Sequence, residues 1–470
     1  MKTAIWWIRR DLRLSDNQAL AEALNQANTV IPVFILDPGL LASDFVGPAR
    51  LAFLFDGLRA LDISLVERGS RLILREGDPL EVLSVLCREC KVEGIFAEED
   101  YSPYAIQRDE KIALTLPLQL VNGATVFHPQ MLIKANGEPY TVFTPFSRLW
   151  RSLPTAASPL PAPEHLPTVP DIQSLEIPTQ PCHPTESTFR AGEQEAQKRL
   201  SSFTNFQIFE YSNTRNRMDL EGTSQLSPYL RLGMLSARQA AWAARQVSDF
   251  AETMTDREGV ETWLNELIWR EFYVSIHFHF PFVRSMAFKA DFRQINWRVD
   301  QAALDAWKTG LTGYPVVDAA MRQLKATGWM HNRARMITAS FLTKDLLIDW
   351  REGERFFMQQ LLDGDPASNN GGWQWTAGTG TDAAPYFRVF NPVLQGQKFD
   401  PQGNYVRQWV PELAKVPTKI LHTPWEMPLE IQKQVDCLIG RDYPAPIVDH
   451  AMARKRVLQA YKGQSVDRIG

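Results

Sequence analysis

The sequence predicts an α/β domain built on a doubly wound parallel sheet, followed by an all-helical domain. Three observations predict this order: the first 130 residues alternate β-type and helical stretches, a proline-rich stretch follows, and helical periodicity dominates the rest. At 470 residues the chain is also too long for one hydrophobic core. We therefore expect an α/β domain over residues 1–130, a linker over 131–190 and a helical domain over 191–470.

Short apolar runs in the first domain have the composition of buried strands, and helical stretches separate them. Because β and α elements alternate, the sheet should be parallel with helices on both faces. Asp78-Pro79 is a plausible helix start, since aspartate accepts amide protons and proline needs none. The predicted strands are Ala4–Ile8, Thr29–Leu36, Arg71–Leu74, Gly94–Ala97 and Ala124–Phe127, and the predicted helices are Gln18–Asn25, Arg50–Arg68 and Pro79–Cys90.

The stretch from Pro154 to Pro184 contains nine prolines with serine and threonine between them. Each proline fixes φ and removes an amide donor, so we interpret the stretch as part of a surface linker. Helical periodicity starts at about Thr188. The predicted helices of the second domain are Gln194–Phe203, Ala237–Asp249, Val260–Phe278, Ala302–Thr309, Pro315–Thr327, Arg333–Asp349 and Glu352–Leu362.

Composition limits the class of protein. A net charge of −4 argues against a uniformly basic nucleic-acid binder, although a local basic face is still compatible with it. Four cysteines form no disulfide framework, which fits a reducing compartment. The apolar run Ala4–Ile8 is too short for a secretory signal, and no run is long enough for a membrane span. We therefore expect a cytoplasmic protein that does not act in a membrane.

Common nucleotide and metal motifs are absent from the sequence, including G-x-G-x-x-G, the P-loop and H-E-x-x-H. Cys87-x-x-Cys90 has redox spacing, but it lies well inside a predicted helix and has no second pair. Helix packing is the better interpretation of these two cysteines. Asp363 and Asp365 lack a third carboxylate, so we expect no metal site.

Three polar and aromatic segments of the second half carry the functional signal, and eight of the 14 tryptophans lie between Trp263 and Trp375. On a helix, Glu266, Trp269, Arg270 and Tyr273 share one face. That pattern fits an ordinary solvated face, but the tryptophan favours a ligand surface.

The second segment projects Asn332, Arg335 and Met336 together from a helix. It belongs to a stretch from Ala320 to Lys344 with five basic and no acidic residues, which suits phosphates but is also typical of a solvated face. The third segment, Leu362–Trp375, combines two aspartates with Gly371 and Gly372, where a backbone can approach a ligand closely.

A hydroxyl-rich loop, Gly222–Ser227, precedes Pro228. Its hydroxyls and amides can hold a phosphate or can simply cap the helix that follows.

Together with the N-terminal Trp6–Arg13 segment, these motifs closely resemble the photolyase/cryptochrome family, and specifically its class I cyclobutane pyrimidine dimer DNA photolyases. The resemblance covers nearly the whole chain and is almost continuous from Trp263 to about Pro411. It implies that FAD, in its reduced form FADH⁻, binds in the all-α C-terminal domain. The implied cofactor residues are Tyr211, Thr223, Ser224, Gln225, Leu226, Ser227, Trp263, Glu266, Arg270, Asn332, Arg335, Asp363, Asp365 and Asn369.

The resemblance also implies a reaction: reduced FAD, excited by light, gives an electron to a pyrimidine dimer flipped out of DNA. Glu266 and Asn332 would hydrogen-bond the damaged bases, and Trp269, Met336 and Trp375 would form apolar walls. Arg215 and Arg333 would contact the flanking phosphates. Trp373, Trp350 and Trp297 match the relay through which oxidised flavin is photoreduced, with core packing as the alternative.

The family often carries a second, antenna chromophore. Tyr104 and Ala105 stand where folate-binding members have an Asn-Glu pair, whereas Arg10, Asp37, Arg50 and Asp100 are similar to deazaflavin-binding members. We expect an 8-hydroxydeazaflavin-type antenna, with folate (MTHF), FMN or no antenna as alternatives.

Three rival functions belong to the same family or fold. A cryptochrome would signal instead of repairing, but plant cryptochromes have aspartate where this chain has Asn369. A (6-4) photolyase would have His-His in place of His331-Asn332. A DNA-binding flavoprotein without repair activity is the third. We expect a monomer whose partner is dimer-containing DNA, at the nucleoid.

Overall fold

A computed structural model of the protein describes residues 1–154, 158–184 and 186–462. Its first element is a parallel five-stranded sheet with the order β3-β2-β1-β4-β5. β2 and β3 lie on one side of β1, and β4 and β5 lie on the other side. The sheet is therefore doubly wound, which confirms the predicted fold class. The strands are β1 (Thr3–Ile8), β2 (Thr29–Leu36), β3 (Ile73–Glu76), β4 (Gly94–Glu98) and β5 (Leu118–Val121).

The predicted strand Ala124–Phe127 was wrong, because the fifth strand is Leu118–Val121 and pairs with β4. In the predicted run, the Val126 amide donates to the Glu271 carboxylate and the Ala124 carbonyl accepts from Arg270. The backbone of this run is therefore satisfied by side chains of the helical domain and not by a neighbouring strand.

Five helices accompany the strands. One begins at Asp78 as predicted, where the side chain accepts from the amides of Leu80 and Glu81. Another, beginning after Ser102, was missed, because only three of its eleven residues are buried and its apolar periodicity is weak. The helices are α1 (Gln18–Gln26), α2 (Pro38–Leu41), α3 (Pro48–Val66), α4 (Pro79–Cys90) and α5 (Pro103–Ala113).

The two faces of the sheet bury alternate residues of β1. Trp6 and Ile8 pack with α1 and α3 in a core that continues into the helical domain, as far as Phe272. Ile5 and Trp7 pack in a separate core with α4 and α5. One face of the sheet therefore fixes the position of the helical domain directly.

The segment 131–190, expected to be a linker, contains a further helix, α6 (Phe143–Ser152). Its proline-rich part contributes buried side chains, including Val169 and Ile172, to the core of the sheet. The Leu166 amide donates to the Arg68 carbonyl at 2.8 Å. The proline-rich part is thus packed against the α/β domain, whereas α6 contacts the helical domain, where Trp150 Nε1 donates to Glu271 at 2.7 Å.

The second half is helical, as predicted. A single helix over Arg333–Asp349 was wrong: α14 ends at Ser340, and a π-helical turn follows over Phe341–Asp345. Leu347 has a φ of 56°, so a right-handed helix cannot continue through it. The helices are α7 (Glu193–Ser202), α8 (Tyr211–Thr214), α9 (Ser227–Leu232), α10 (Ala237–Ser248), α11 (Met254–His279), α12 (Gln301–Thr309), α13 (Pro315–Thr327), α14 (Asn332–Ser340), α15 (Trp350–Gln360), α16 (Pro366–Ala377), α17 (Pro392–Phe399), α18 (Asn404–Trp409), α19 (Leu429–Gln434) and α20 (His450–Lys462).

Across the described ranges, no helix combines the length and the apolar character that crossing a bilayer requires.

Candidate functional site

A cavity of about 570 Å³ lies within the helical domain, and we refer to it as the main cavity. The structure brings together in its lining every residue that the sequence assigned to a cofactor. These residues are Tyr211, Thr223, Ser224, Gln225, Leu226, Ser227, Trp263, Glu266, Arg270, Asn332, Arg335, Asp363, Asp365 and Asn369.

Helix α11 forms one wall through its periodicity. Glu266, Trp269, Arg270 and Tyr273 all line the main cavity, as their helical spacing predicted. Phe272, on another side of the helix, is fully buried in the core. Core packing on that side holds the polar face against the cavity.

The hydroxyl-rich loop is held in place by indole groups. Trp263 Nε1 donates to Ser224 Oγ at 3.3 Å, and Trp329 Nε1 donates to Ser227 Oγ at 3.4 Å. Gln225 has a φ of 51°, which turns the chain sharply between these two serines. The loop thereby presents its hydroxyls along the cavity wall.

Two aspartates stand at the cavity with different surroundings. Asp363 accepts from Arg335 Nη2 at 2.7 Å through one oxygen, while its buried Oδ1 has no hydrogen-bond partner among the described residues. Asp365 caps α16 through Oδ1 and accepts from Arg10 Nη2 at 2.7 Å through Oδ2. Burial alone would raise the pKa of Asp365, but Arg10, Arg231 and Arg270 hold it well below its usual range. Asp365 is therefore a fixed anion.

Arg231 is a cavity residue that sequence reasoning missed. Its Nε donates to the Gly364 carbonyl at 2.7 Å, and its buried Nη1 has no partner in the described chain. Burial, with Arg10 nearby, lowers the pKa of Arg231 to about 9. The available signal was its position four residues after Ser227 on the same short helix.

Helix α16 supplies the wall that contains Asn369, Gly372 and Trp373. Asn369 Nδ2 donates to the Glu354 carbonyl at 3.0 Å, which fixes the amide group of a residue that lines the cavity. A side chain at Gly372 would meet open space, so that glycine does leave room for a ligand. Gly371 does not: a Cβ there would lie 2.1 Å from the Tyr273 ring, so helix packing explains it.

The residues predicted to contact DNA divide into two groups. Met336, Trp269 and Trp375 line the cavity, as does Arg215, whose Nη1 lies 2.6 Å from Glu266 Oε1. Burial raises the pKa of Glu266, and Arg215 opposes that shift.

Arg333, by contrast, is not part of the lining. Its guanidinium donates to Asn216 Oδ1 at 2.6 Å and lies 4.5 Å from the centre of the Phe399 ring. Burial lowers the pKa of Arg333 to about 10.

The three tryptophans predicted to form a relay differ in their surroundings. Trp373 lines the cavity and Trp350 is fully buried, whereas Trp297 is half-buried and packs edge-on to Tyr461 at 6.2 Å. The ring of Trp373 also packs at 6.1 Å against Trp307, which the sequence did not single out.

The four predicted antenna residues do not share one cavity. Arg10 and Asp100 line a pocket of about 20 Å³ between the domains, together with His277. Asp37 instead accepts from the Tyr104 hydroxyl and the Gly39 amide. Arg50 donates to backbone carbonyls of Phe45, Met358 and Leu361.

The basic stretch Ala320–Lys344 is not the continuous surface that its charge pattern suggested. Arg322 pairs with Glu412 at 2.8 Å, and Lys344 is buried, where its amine donates to the Ala377 carbonyl at 2.7 Å. In residues 1–154, 158–184 and 186–462, no group of three His, Cys, Asp or Glu side chains is placed to hold a metal.

Two family models match this chain: one described as DNA photolyase over residues 4–164, and one as FAD binding domain of DNA photolyase over residues 263–463. The chain is 42% identical to the deoxyribodipyrimidine photo-lyase of Escherichia coli, over 98% of this chain and 99% of that protein. It is 39% identical to the protein of the same name from Synechococcus, over 97% of this chain and 96% of the relative.

Solved structures resemble the whole chain. A bacterial class III photolyase from Agrobacterium tumefaciens has a TM-score of 0.93 at 38% identity, covering 99% of this chain and 98% of its own. A Synechocystis cryptochrome has a TM-score of 0.88 at 30% identity, with coverage of 98% and 99%. An archaeal photolyase from Sulfolobus tokodaii, solved with two FAD molecules, has a TM-score of 0.84 at 31% identity, with coverage of 98% and 100%.

Proposed function

Because the chain belongs to the DNA photolyase family, we propose that it is a light-driven repair enzyme that splits cyclobutane pyrimidine dimers in DNA. The enzyme uses FAD as its cofactor. The observation that carries this function is the main cavity, where all the residues that the sequence assigned to FAD converge.

The residues of the main cavity fit FAD chemically. A volume of about 570 Å³ lies in the range of cofactor sites. The hydroxyls of Ser224 and Ser227 and the unpaired Arg231 Nη1 suit phosphate oxygens. The unpaired Asp363 Oδ1 and the Asn369 amide suit the hydroxyl and N–H groups of the ribose and the flavin ring.

When bound in its reduced form, FAD supplies the light-excited electron that opens the cyclobutane ring. The protein supplies charge and position. The guanidinium groups of Arg270 and Arg335 line the cavity and favour an anionic cofactor beside them. Glu266, held by Arg215, would hydrogen-bond the dimer together with Asn332, while Trp269, Met336 and Trp375 exclude water around it.

DNA binding would use local arginines, since the net charge of the protein is negative. Arg215 and Arg333 are our candidates for the phosphates that flank the dimer. A dimer stacks and pairs poorly, so moving it out of the duplex costs less than moving an undamaged base.

For photoreduction we propose the path Trp373, Trp350, Trp297. It is supported by the two ends of the path: Trp373 lines the main cavity, and Trp297 is half-buried, so its ring has access to solvent.

The experiment is a repair assay. Reduced, FAD-loaded protein is mixed with an oligonucleotide that carries one thymine dimer, and blue light is compared with darkness. We expect dimer loss in the light only. No loss from the loaded, reduced protein would favour a cryptochrome, whose fold is the same, and loss from a (6-4) photoproduct oligonucleotide alone would favour that class.

We propose class I for this chain because its sequence motifs resemble class I members. The fold does not separate the classes, because the class III structure has the same fold. For the antenna we propose an 8-hydroxydeazaflavin-type chromophore, on the resemblance of Arg10, Asp37, Arg50 and Asp100 to deazaflavin-binding members. The fluorescence of extracted chromophores tests this, and a folate or FMN spectrum would contradict it. We further propose a monomer that acts on nucleoid DNA in the cytoplasm.

A further inference from the structure

Arg10, in the segment that follows β1, reaches out of the α/β domain into the helical domain. All three of its nitrogens have partners: Nη2 donates to Asp365 at 2.7 Å, Nη1 lies 3.5 Å from Asp100, and Nε donates to the Arg231 carbonyl at 3.3 Å. We refer to these four residues as the domain junction. Two of the three bonds cross between the domains.

The two residues that Arg10 contacts in the helical domain belong to different walls of the main cavity. Arg231 lies in α9, which also supplies Ser227. Asp365 caps α16, which supplies Asn369, and its other oxygen accepts from the Ala367 and Ser368 amides. A single guanidinium therefore spans α9 and the first turn of α16.

Other arginines near Asp365 do not replace this contact. Arg231 Nε donates to the Gly364 carbonyl, and Arg270 Nη1 donates to the Ala124 carbonyl at 3.0 Å. In the described chain, Arg10 is the arginine that bonds the Asp365 carboxylate directly. Because the Asp365 side chain is only 12% exposed, the loss of that partner would leave a mostly shielded anion without its direct counter-charge.

We propose that Arg10 is a positioning residue for the main cavity, through which the α/β domain sets the spacing of α9 and α16 and so contributes to FAD binding. This role is separate from that of an antenna ligand, because the three nitrogens of Arg10 are already engaged by the protein. The inference rests on the proposed function, since it requires that the main cavity binds FAD.

The test compares FAD affinity in four apoproteins, titrated with FAD and followed by flavin fluorescence: wild type, Arg10→Gln, Arg10→Lys and Arg238→Gln. Arg238 is the matched control, because it forms another arginine–aspartate pair between the domains, 3.3 Å from Asp16, and does not line the cavity. The melting temperature of each apoprotein and the visible circular dichroism of each FAD-saturated protein are recorded alongside.

We expect Arg10→Gln to weaken FAD binding by about tenfold to a hundredfold, the range of a lost charge-assisted hydrogen bond. Arg10→Lys keeps one charged contact and should fall between wild type and Arg10→Gln. Arg238→Gln should bind FAD within about threefold of wild type. The flavin circular dichroism should change in the two Arg10 variants, because the cavity walls move relative to each other.

Wild-type affinity in Arg10→Gln would overturn the inference, and so would equal losses of affinity and melting temperature in Arg10→Gln and Arg238→Gln. If Arg10→Gln does not fold, wild-type affinity and circular dichroism in Arg10→Lys would overturn it alone. Failure of the wild-type apoprotein to bind FAD would instead contradict the proposed function.

Discussion

The main cavity and the domain junction share Arg231 and Asp365, and the two regions differ in how far their polar groups already have partners in the protein. At the junction, Arg10 is paired throughout, and the adjoining pocket measures about 20 Å³. In the main cavity, Arg231 Nη1 and Asp363 Oδ1 have no partner in the described residues, and about 570 Å³ is open.

This difference separates a ligand site from an interdomain contact. Unpaired buried polar groups are costly unless something satisfies them, and beside a large cavity a bound ligand can do so. Saturated groups with little space instead stabilise the packing of one domain on another. We therefore infer that the main cavity binds the cofactor and that the domain junction holds the walls of the cavity in place.

The largest expected effect comes from breaking the Arg335–Asp363 pair in the main cavity. Asp363→Ala removes a buried carboxylate, one oxygen of which has no partner in the described residues, and leaves the half-buried Arg335 guanidinium without its anion. We expect FAD affinity, measured by titration of the apoprotein, to fall by about a hundredfold or more.

Glu412→Ala is the matched control for this change, since Glu412 accepts from Arg322 at 2.8 Å with similar geometry away from the cavity. FAD affinity should stay close to wild type in that variant. Equal losses in both variants would show that general stability, and not the cavity, governs FAD binding.

His277 lines the pocket of about 20 Å³ between the domains. Unlike the nitrogens of Arg10, its buried Nε2 has no partner among the described residues. Burial lowers the pKa of His277 to about 4. The unfolded chain binds a proton at about pH 6.5 and the folded chain does not, so stability is full above pH 6.5 and falls as the pH drops toward 4.

Between pH 6.5 and 4, the unfolding free energy of the wild type should fall by up to about 3 kcal/mol because of His277. His277→Gln cannot take up the proton, so its unfolding free energy should fall less between pH 6.5 and 4. Urea denaturation followed by tryptophan fluorescence measures both proteins at each pH. Parallel pH curves would contradict the assignment.

The smallest expected effect concerns the relay and leaves FAD binding unchanged. Trp350→Phe should slow light-driven reduction of oxidised FAD several-fold, and Trp297→Phe should do the same, while repair by pre-reduced enzyme is retained. Trp307→Phe is the control, because Trp307 packs against Trp373 but lies outside the proposed path. If Trp307→Phe slows the light-driven reduction of FAD and Trp350→Phe does not, the electron path runs through Trp307 and the proposed path is wrong.

The fold class was predictable because its signals are local, and the cofactor residues were predictable from the family resemblance. Short apolar runs that alternate with helical stretches identified four of the five strands. Helical spacing placed Glu266, Trp269 and Arg270 on one face. The run Ala124–Phe127 has strand composition, but the contact of Val126 with Glu271, 145 residues away, prevails over it. Such a contact leaves no trace in the local pattern.

Pairing was the other property that the sequence concealed. The resemblance identified Arg10 and Arg50 as antenna residues and Arg335 as an FAD residue, whereas the structure engages Arg50 with three backbone carbonyls. Arg231 was missed for the opposite reason, because it follows an apolar helix start and only folding brings its free Nη1 to the cavity. Residue type predicts capacity for a bond, but tertiary structure decides whether that capacity is already used.

The central claim is that FAD occupies the main cavity and no second site. The most direct measurement is the stoichiometry of FAD binding to wild-type apoprotein, repeated with Asp363→Ala. We predict saturation at a single FAD per chain, with that binding lost in the variant. Two FAD per chain, or a single FAD whose binding Asp363→Ala leaves unchanged, would contradict the account.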